Sequence, residues 1–373
     1  IKLGITVRMD DETSDWEHVM RGCDRWLGSQ QPITAGDRLR AAADALAAGD
    51  WPDHYGDGEL VAAFEDRVAR LLGMEAAAVF PSGTMAQQIA LRIHCQARGA
   101  DTIAFHPTCH LELHEHAAYQ HLHGLRAELV GDRDRLITLE DLEAVHGRLG
   151  ALLLELPQRE IGGRLPEWDE LVAQIEWARA GGVATHLDGA RIWEAAPYYG
   201  RPHAELAGLF DTVYVSLYKG LGGIGGSVLA GPAELIAQAR VWRRRHGGTL
   251  PNLFPFVASA LPGLDRRVAR MPQFLAHARA LGAALTGVPG IAVAPDPPQT
   301  PLFHVHLRGD REQLARRSLE LARERRVWLF APPGLRATDV DRVSKLELNV
   351  GEPALQISPA EAAELFSSVL GIG

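Results

Sequence analysis

A series of short, unbroken apolar segments with helical stretches between them fills the middle of this chain, and few folds accommodate it. The segments fall at 77–80, 102–105, 151–154, 183–187, 212–215 and 227–230. Continuous apolar runs of this length are the mark of strands covered on both faces. Before the first of them, Phe64, Val68, Leu71 and Leu72 recur at helical spacing, and after it so do Ala86, Ile89, Ala90 and Ile93. Further helical stretches lie near 140–149, 167–180 and 233–245. Strand–helix alternation predicts an open α/β sheet, mostly parallel, with helices on both faces. The last two strand segments are too close for a helical crossover, which leaves room for one antiparallel strand.

The pattern changes after 246–255. A helical stretch over 256–285 contains Pro262 and Pro272, which predicts a break or kink. Strand-like 302–307, a helix near 312–325, and strands at 327–330 and 345–350 then read as a smaller α+β domain. The expected organisation is an N-terminal segment, 1–50, with a helix at 39–48; a large α/β domain, 51–255; and a small C-terminal domain, 256–373.

Composition narrows the class. The 373 residues are 46% hydrophobic and 23% charged, which excludes disordered, collagen-like and coiled-coil chains. A net charge of −9 argues against a nucleic-acid partner. Cys23, Cys95 and Cys109 form no disulfide framework or zinc pattern, so a reducing cytoplasm is the expected compartment. No run of about 18 apolar residues predicts a membrane span. Residues 1–11 hold no signal-peptide stretch, although the sequence does not begin with Met.

Four local patterns carry chemistry. Ser216-Leu217-Tyr218-Lys219-Gly220-Leu221-Gly222-Gly223 follows a strand and opens a glycine-rich loop. A buried lysine there suits Schiff-base chemistry with a carbonyl, and Ser216 is a candidate phosphate ligand. A surface lysine in a turn is the plain alternative. His186-Leu187-Asp188-Gly189-Ala190-Arg191 ends another strand, where α/β sheets bind ligands. A carboxylate there keeps a pyridinium nitrogen protonated, and Arg191 suits a carboxylate; Asp-Gly is otherwise a common turn. Ser82-Gly83-Thr84 before an amphipathic helix is an anion site or a simple cap. The fourth pattern is the histidine-rich run His106, His110, His114, His116, His121 and His123. Spacing of four between His110 and His114 permits a metal on a helix, but no acidic or cysteine pattern supports one. A flat imidazole stacked on a cofactor ring fits better, and no metal is expected.

Phosphate cup, ring stacker, ring-nitrogen carboxylate and lysine, in that order, resemble the fold-type-I pyridoxal-phosphate enzymes. Within them the chain resembles the threonine aldolase and β-eliminating lyase family. The resemblance rests on His54-Tyr55-Gly56-Asp57, Pro81-Ser82-Gly83-Thr84, Cys109-His110 with Glu115, the segment 186–191 and the segment 216–227. It implies pyridoxal 5′-phosphate (PLP) on Lys219, Asp188 at the pyridine nitrogen, His110 stacked on the ring, and Gly83 and Thr84 at the phosphate. It also implies Arg191 near the ring oxygen and substrate carboxylate, and Tyr55 reaching a neighbouring subunit's site in a homodimer or homotetramer.

The sequence departs from the family in its substrate half. The usual Arg-Ser-Asp-Thr opening is missing from residues 1–51. Glu155-Leu156-Pro157-Gln158, followed by Arg159, replaces Glu-Asn-Thr-His, and Gln158 or Arg159 is expected to take a polar role. Pro251 stands where a phosphate-binding arginine is usual, with Arg243, Arg244 and Arg245 upstream. The carboxylate-binding arginine falls at Lys345 or Arg342. The implied activity is carbon–carbon cleavage of a β-hydroxy-α-amino acid to glycine and an aldehyde, with His110 or its water as base. The alternatives are β-elimination from a serine- or cysteine-like amino acid, transamination, and a non-catalytic descendant.

Overall fold

A computed structural model describes residues 15–372. The missing family opening is expected partly within residues 1–14, which lie outside the described residues. Two compact units divide the chain: 33–272, and the residues up to Pro32 joined with those from Gln273 onward. This differs from the expected boundaries at 50 and 255. Arg25–Trp26 pairs in parallel with Val327–Trp328, so this part of the N-terminal segment belongs with the C-terminal unit, while residues 33–50 belong with the large one. The helix Phe254–Arg266 stays with the large unit, where Ser259 Oγ accepts the Ile224 N–H at 3.0 Å.

The large unit is built on seven strands: β1 (Ala76–Phe80), β2 (Thr102–Phe105), β3 (Arg126–Leu129), β4 (Ala151–Glu155), β5 (Ala184–Asp188), β6 (Thr212–Ser216) and β7 (Ser227–Gly231). Their order across the sheet is β1-β7-β6-β5-β4-β2-β3. All pairings are parallel except the two made by β7. The expected α/β sheet is therefore present, with its antiparallel member at the second of the two closely spaced strands. β4 to β7 are almost wholly buried, as unbroken apolar runs require. β3 was not foreseen: its sequence, Arg-Ala-Glu-Leu, is that of an exposed edge.

The small unit carries a four-stranded antiparallel sheet ordered Arg336–Ala337, Val343–Asn349, Leu302–Arg308, Ile291–Ala294. Burial along Val343–Asn349 alternates strictly, so only one face of this sheet is covered. The predicted break in the long helical stretch comes after Arg266, with a 3-10 turn at Val268–Arg270 before the helix Met271–Thr286. Pro262 is accommodated inside the first helix.

Candidate active site

The carboxyl ends of β1, β2, β4, β5 and β6 deliver the chemistry-bearing residues to one edge of the sheet. β1 runs through Pro81 into the helix Gly83–Arg98, capped by Ser82, whose Oγ accepts the Met85 N–H at 3.3 Å. Sixteen residues of helix aim their unpaired N–H groups and positive dipole end at this edge. Gly83 is obligatory in this packing: a Cβ there would lie 2.3 Å from the Tyr214 hydroxyl oxygen.

A cavity of about 270 Å³ opens at this point. Ser82, Gly83 and Thr84 line one end, and Asp188, His110 and Lys219 line the rest with Gln87, Glu115 and Tyr218. The sequence motifs for phosphate, ring and amine thus meet in one space, although 137 positions separate Ser82 from Lys219 in the sequence. Asp188 is buried, and its Oδ1 accepts the Ala190 N–H at 3.0 Å, which fixes the carboxylate at the strand end. Burial lowers the Lys219 pKa, and the Arg191 charge adds to this against the opposing pull of Asp188 and Glu155. A depressed amine is the nucleophilic form.

His110 opens the short helix His110–Leu113, and its Nδ1 lies 2.9 Å from Glu115 Oε1. Gln88 Nε2 donates to the other Glu115 oxygen at 3.0 Å. The hydrogen bond to Glu115 raises the His110 pKa, outweighing burial. Arg191 precedes the helix Ile192–Tyr199; it is buried, and its Nε has no hydrogen-bond partner among the described residues.

Other expected residues are not among those lining this cavity. Ser216 Oγ accepts the N–H groups of Tyr218 and Lys219, each at 3.3 Å, and is fully buried outside the cavity lining. It shapes the lysine loop. Tyr55 sits exposed on a turn at φ +55°, its N–H bonded to the Pro251 carbonyl at 2.9 Å. Lys345 belongs to the small unit, on Val343–Asn349, in register with His306 and Arg336. Gln158 turns inward and donates to Thr108 Oγ1 at 3.2 Å, which leaves Arg159 as the outward polar group. Among the described residues no group of three or more His, Cys, Asp or Glu is arranged to hold a metal.

Glu155, part of the sequence's departure from the family pattern, ends β4 in register with Asp188. Adjacent parallel strands place such partners on the same face. Burial, then the Asp188 charge, pushes the Glu155 carboxyl up to about 7. Its position was visible in the sequence as a second acidic residue closing an apolar run. Glu194 is a second omission: it is buried, with Oε2 lacking a hydrogen-bond partner among the described residues, and a Cβ on Gly220 would lie 2.8 Å from its Oε1.

The donor set fits a phosphorylated pyridine aldehyde: an anion-binding helix end, a flat imidazole wall, a buried carboxylate and a depressed amine. Gln87 Oε1, on the cavity lining, is buried with no hydrogen-bond partner among the described residues, and a polar ligand satisfies such a group. Such a site on an open α/β sheet defines the fold-type-I class of PLP enzymes. Within that class, the chain belongs to the β-eliminating lyase family, whose model matches residues 34–308.

The chain is 30% identical over 287 residues to a low-specificity L-threonine aldolase of Arabidopsis thaliana, covering 74% of this chain and 78% of that protein. It is 32% identical over 244 residues to the low-specificity L-threonine aldolase of Escherichia coli O157:H7, covering 63% and 72%. A putative L-allo-threonine aldolase structure from Listeria monocytogenes superposes with a TM-score of 0.90 at 34% identity, covering 96% of this chain and 99% of that one. A serine palmitoyltransferase structure from Sphingomonas wittichii, at 17% identity and a TM-score of 0.66, shares the fold.

Proposed function

We propose that this chain is a PLP-dependent aldolase that splits a β-hydroxy-α-amino acid of the threonine type into glycine and an aldehyde. The observation that carries the reading is the meeting of Lys219, Asp188, His110 and the Ser82–Thr84 helix end in one cavity. The threonine aldolase names of the Arabidopsis and Escherichia coli relatives support it.

Lys219 Nζ is the amine that would hold the cofactor's aldehyde carbon. Ser82, Gly83 and Thr84, at the helix end, would hold its phosphate. Asp188 would keep a proton on the ring nitrogen, and His110 would cover one ring face. Bound PLP supplies an electron sink conjugated to the substrate's Cα. Arg191 would orient the substrate carboxylate by paired N–H donors. The Tyr55 turn would serve a second copy of the chain in a homo-oligomer. The compartment that fits three free, buried thiols is the reducing cytoplasm; no described helix is long and apolar enough to cross a membrane.

Product analysis tests the reading. Purified protein loaded with PLP should release an aldehyde and glycine from threonine or allo-threonine, with no requirement for a keto-acid acceptor. Pyruvate and ammonia from serine, with no aldehyde from any β-hydroxy amino acid, would assign β-elimination instead.

A further inference from the structure

We infer that His114, oriented by Glu160 beside the cavity wall at His110, accepts the proton of the substrate's β-hydroxyl, an assignment that rests on the aldolase reading above. The one-turn helix His110–Leu113 brings the two imidazoles side by side, with ring centroids 5.1 Å apart and planes tilted by 47°. Each ring is held by its own carboxylate, and the two carboxylates differ in surroundings.

His114 Nε2 lies 3.0 Å from Glu160 Oε1. An ionised carboxylate only accepts hydrogen bonds, so the neutral ring carries its proton on Nε2 and its lone pair on Nδ1. Nδ1 has no hydrogen-bond partner among the described residues, the side chain is 34% exposed, and the ring lies against His110, which lines the cavity. Arg159 Nη1 reaches the same Glu160 oxygen at 3.3 Å. This guanidinium offsets the Glu160 charge, leaving an oriented imidazole beside a compensated carboxylate.

His110 is situated otherwise. Its partner Glu115 has a side chain only 1% exposed and a neutral amide, Gln88, as its other neighbour. The hydrogen bond to Glu115 raises the His110 pKa against burial and the Lys219 charge. Glu115 already occupies His110 Nδ1, and a ring that holds its second proton more firmly is the poorer acceptor. Burial also pushes the neighbouring Tyr218 phenol up, which keeps it a donor. His114 Nδ1 is therefore the acceptor best prepared for the hydroxyl.

The step balances as follows. The hydroxyl O–H bond breaks and its proton passes to His114 Nδ1. The released pair forms the carbonyl π bond of the aldehyde as Cα–Cβ breaks. The Cα–Cβ pair stays with Cα until a proton reaches that carbon, giving glycine. The groups facing His114 are His110, Glu160 and, through Glu160, Arg159.

The test compares His114→Phe, which keeps an aromatic ring in place, with Glu160→Ala and the wild type, all loaded with PLP. The PLP dissociation constant and the absorbance change on adding glycine, which has no β-hydroxyl, should stay within about twofold of wild type in His114→Phe. Aldehyde release should fall by on the order of 10²-fold or more in kcat, the scale of a lost general base. Nitrogen NMR should place the His114 proton on Nε2 in the wild type and lose that preference in Glu160→Ala.

Aldehyde release within about threefold of wild type by His114→Phe would overturn the assignment. Glycine binding that weakens as much as turnover would reduce His114 to a structural residue. Should His114→Phe fail to fold, the NMR arm still decides: a His114 tautomer unaffected by Glu160→Ala overturns the assignment. A wild type that binds PLP but releases no aldehyde sinks the aldolase reading, and this inference with it.

Discussion

Lowering the pH should destabilise this protein through two histidines that the core keeps neutral. Thr212 Oγ1 lies 2.8 Å from both His94 Nε2 and His186 Nδ1, and all three residues are buried. One hydroxyl can donate to one ring and accept from the other, which fits two neutral imidazoles. Protonation leaves a bare N–H at His186 Nε2, which has no hydrogen-bond partner among the described residues. Burial accordingly lowers His94 to about 4 and His186 to about 3, from 6.5.

Both native values lie below the unfolded one, so the unfolded chain binds more protons and stability rises with pH. The contribution is complete above about pH 6.5 and declines as pH falls toward the native values. At about pH 5, roughly 1.5 units below the unfolded value, each group costs about 2 kcal/mol, or about 4 for the pair. Urea unfolding of the wild type and of the double variant His94→Gln, His186→Asn, at about pH 7.5 and pH 5, isolates this share. The wild type should lose about 4 kcal/mol more than the variant over that interval. Equal losses would refute the reasoning and show that the two rings titrate normally.

Three further outcomes follow from the same geometry. Gly83→Ala forces a Cβ against the Tyr214 hydroxyl and should cost about 1–3 kcal/mol in thermal unfolding, with PLP affinity reduced at least about tenfold in an absorbance titration. Glu115→Gln replaces the carboxylate acceptor that raises His110 with a neutral amide, so the His110 imidazole should titrate at lower pH by NMR. Asp53 is buried and accepts N–H bonds from Gly56 at 2.7 Å, Leu253 at 2.8 Å and Phe254 at 2.7 Å; Asp53→Ala should destabilise by about 3 kcal/mol in chemical unfolding, at about 1 per orphaned donor.

The sheet was legible because its central strands are covered on both faces, and a run such as Leu152-Leu153-Leu154 admits few other readings. The edge strand Arg126–Leu129 was not, because half-exposed residues carry no periodic signal. The cofactor half of the site was legible for a related reason. Asp188 and Lys219 close or follow apolar strands, and strand ends are where α/β folds collect ligands. The backbone bonds of Ser216 were not legible, because a hydroxyl three residues before a lysine suits a turn and an anion equally. Glu155 was passed over because its relation to Asp188 is across strands, and register is invisible in a single sequence. The pairing of Arg25–Trp26 with Val327–Trp328 was not legible because the partners lie some three hundred positions apart.

Only three lysines occur in the chain, Lys2, Lys219 and Lys345, which makes the central claim open to direct chemistry. Borohydride reduction of PLP-loaded protein, followed by proteolysis and mass spectrometry, should find the phosphopyridoxyl group on the peptide containing Lys219 and none in Lys219→Ala. A label confined to Lys2 or Lys345, or no label after loading, would contradict the account.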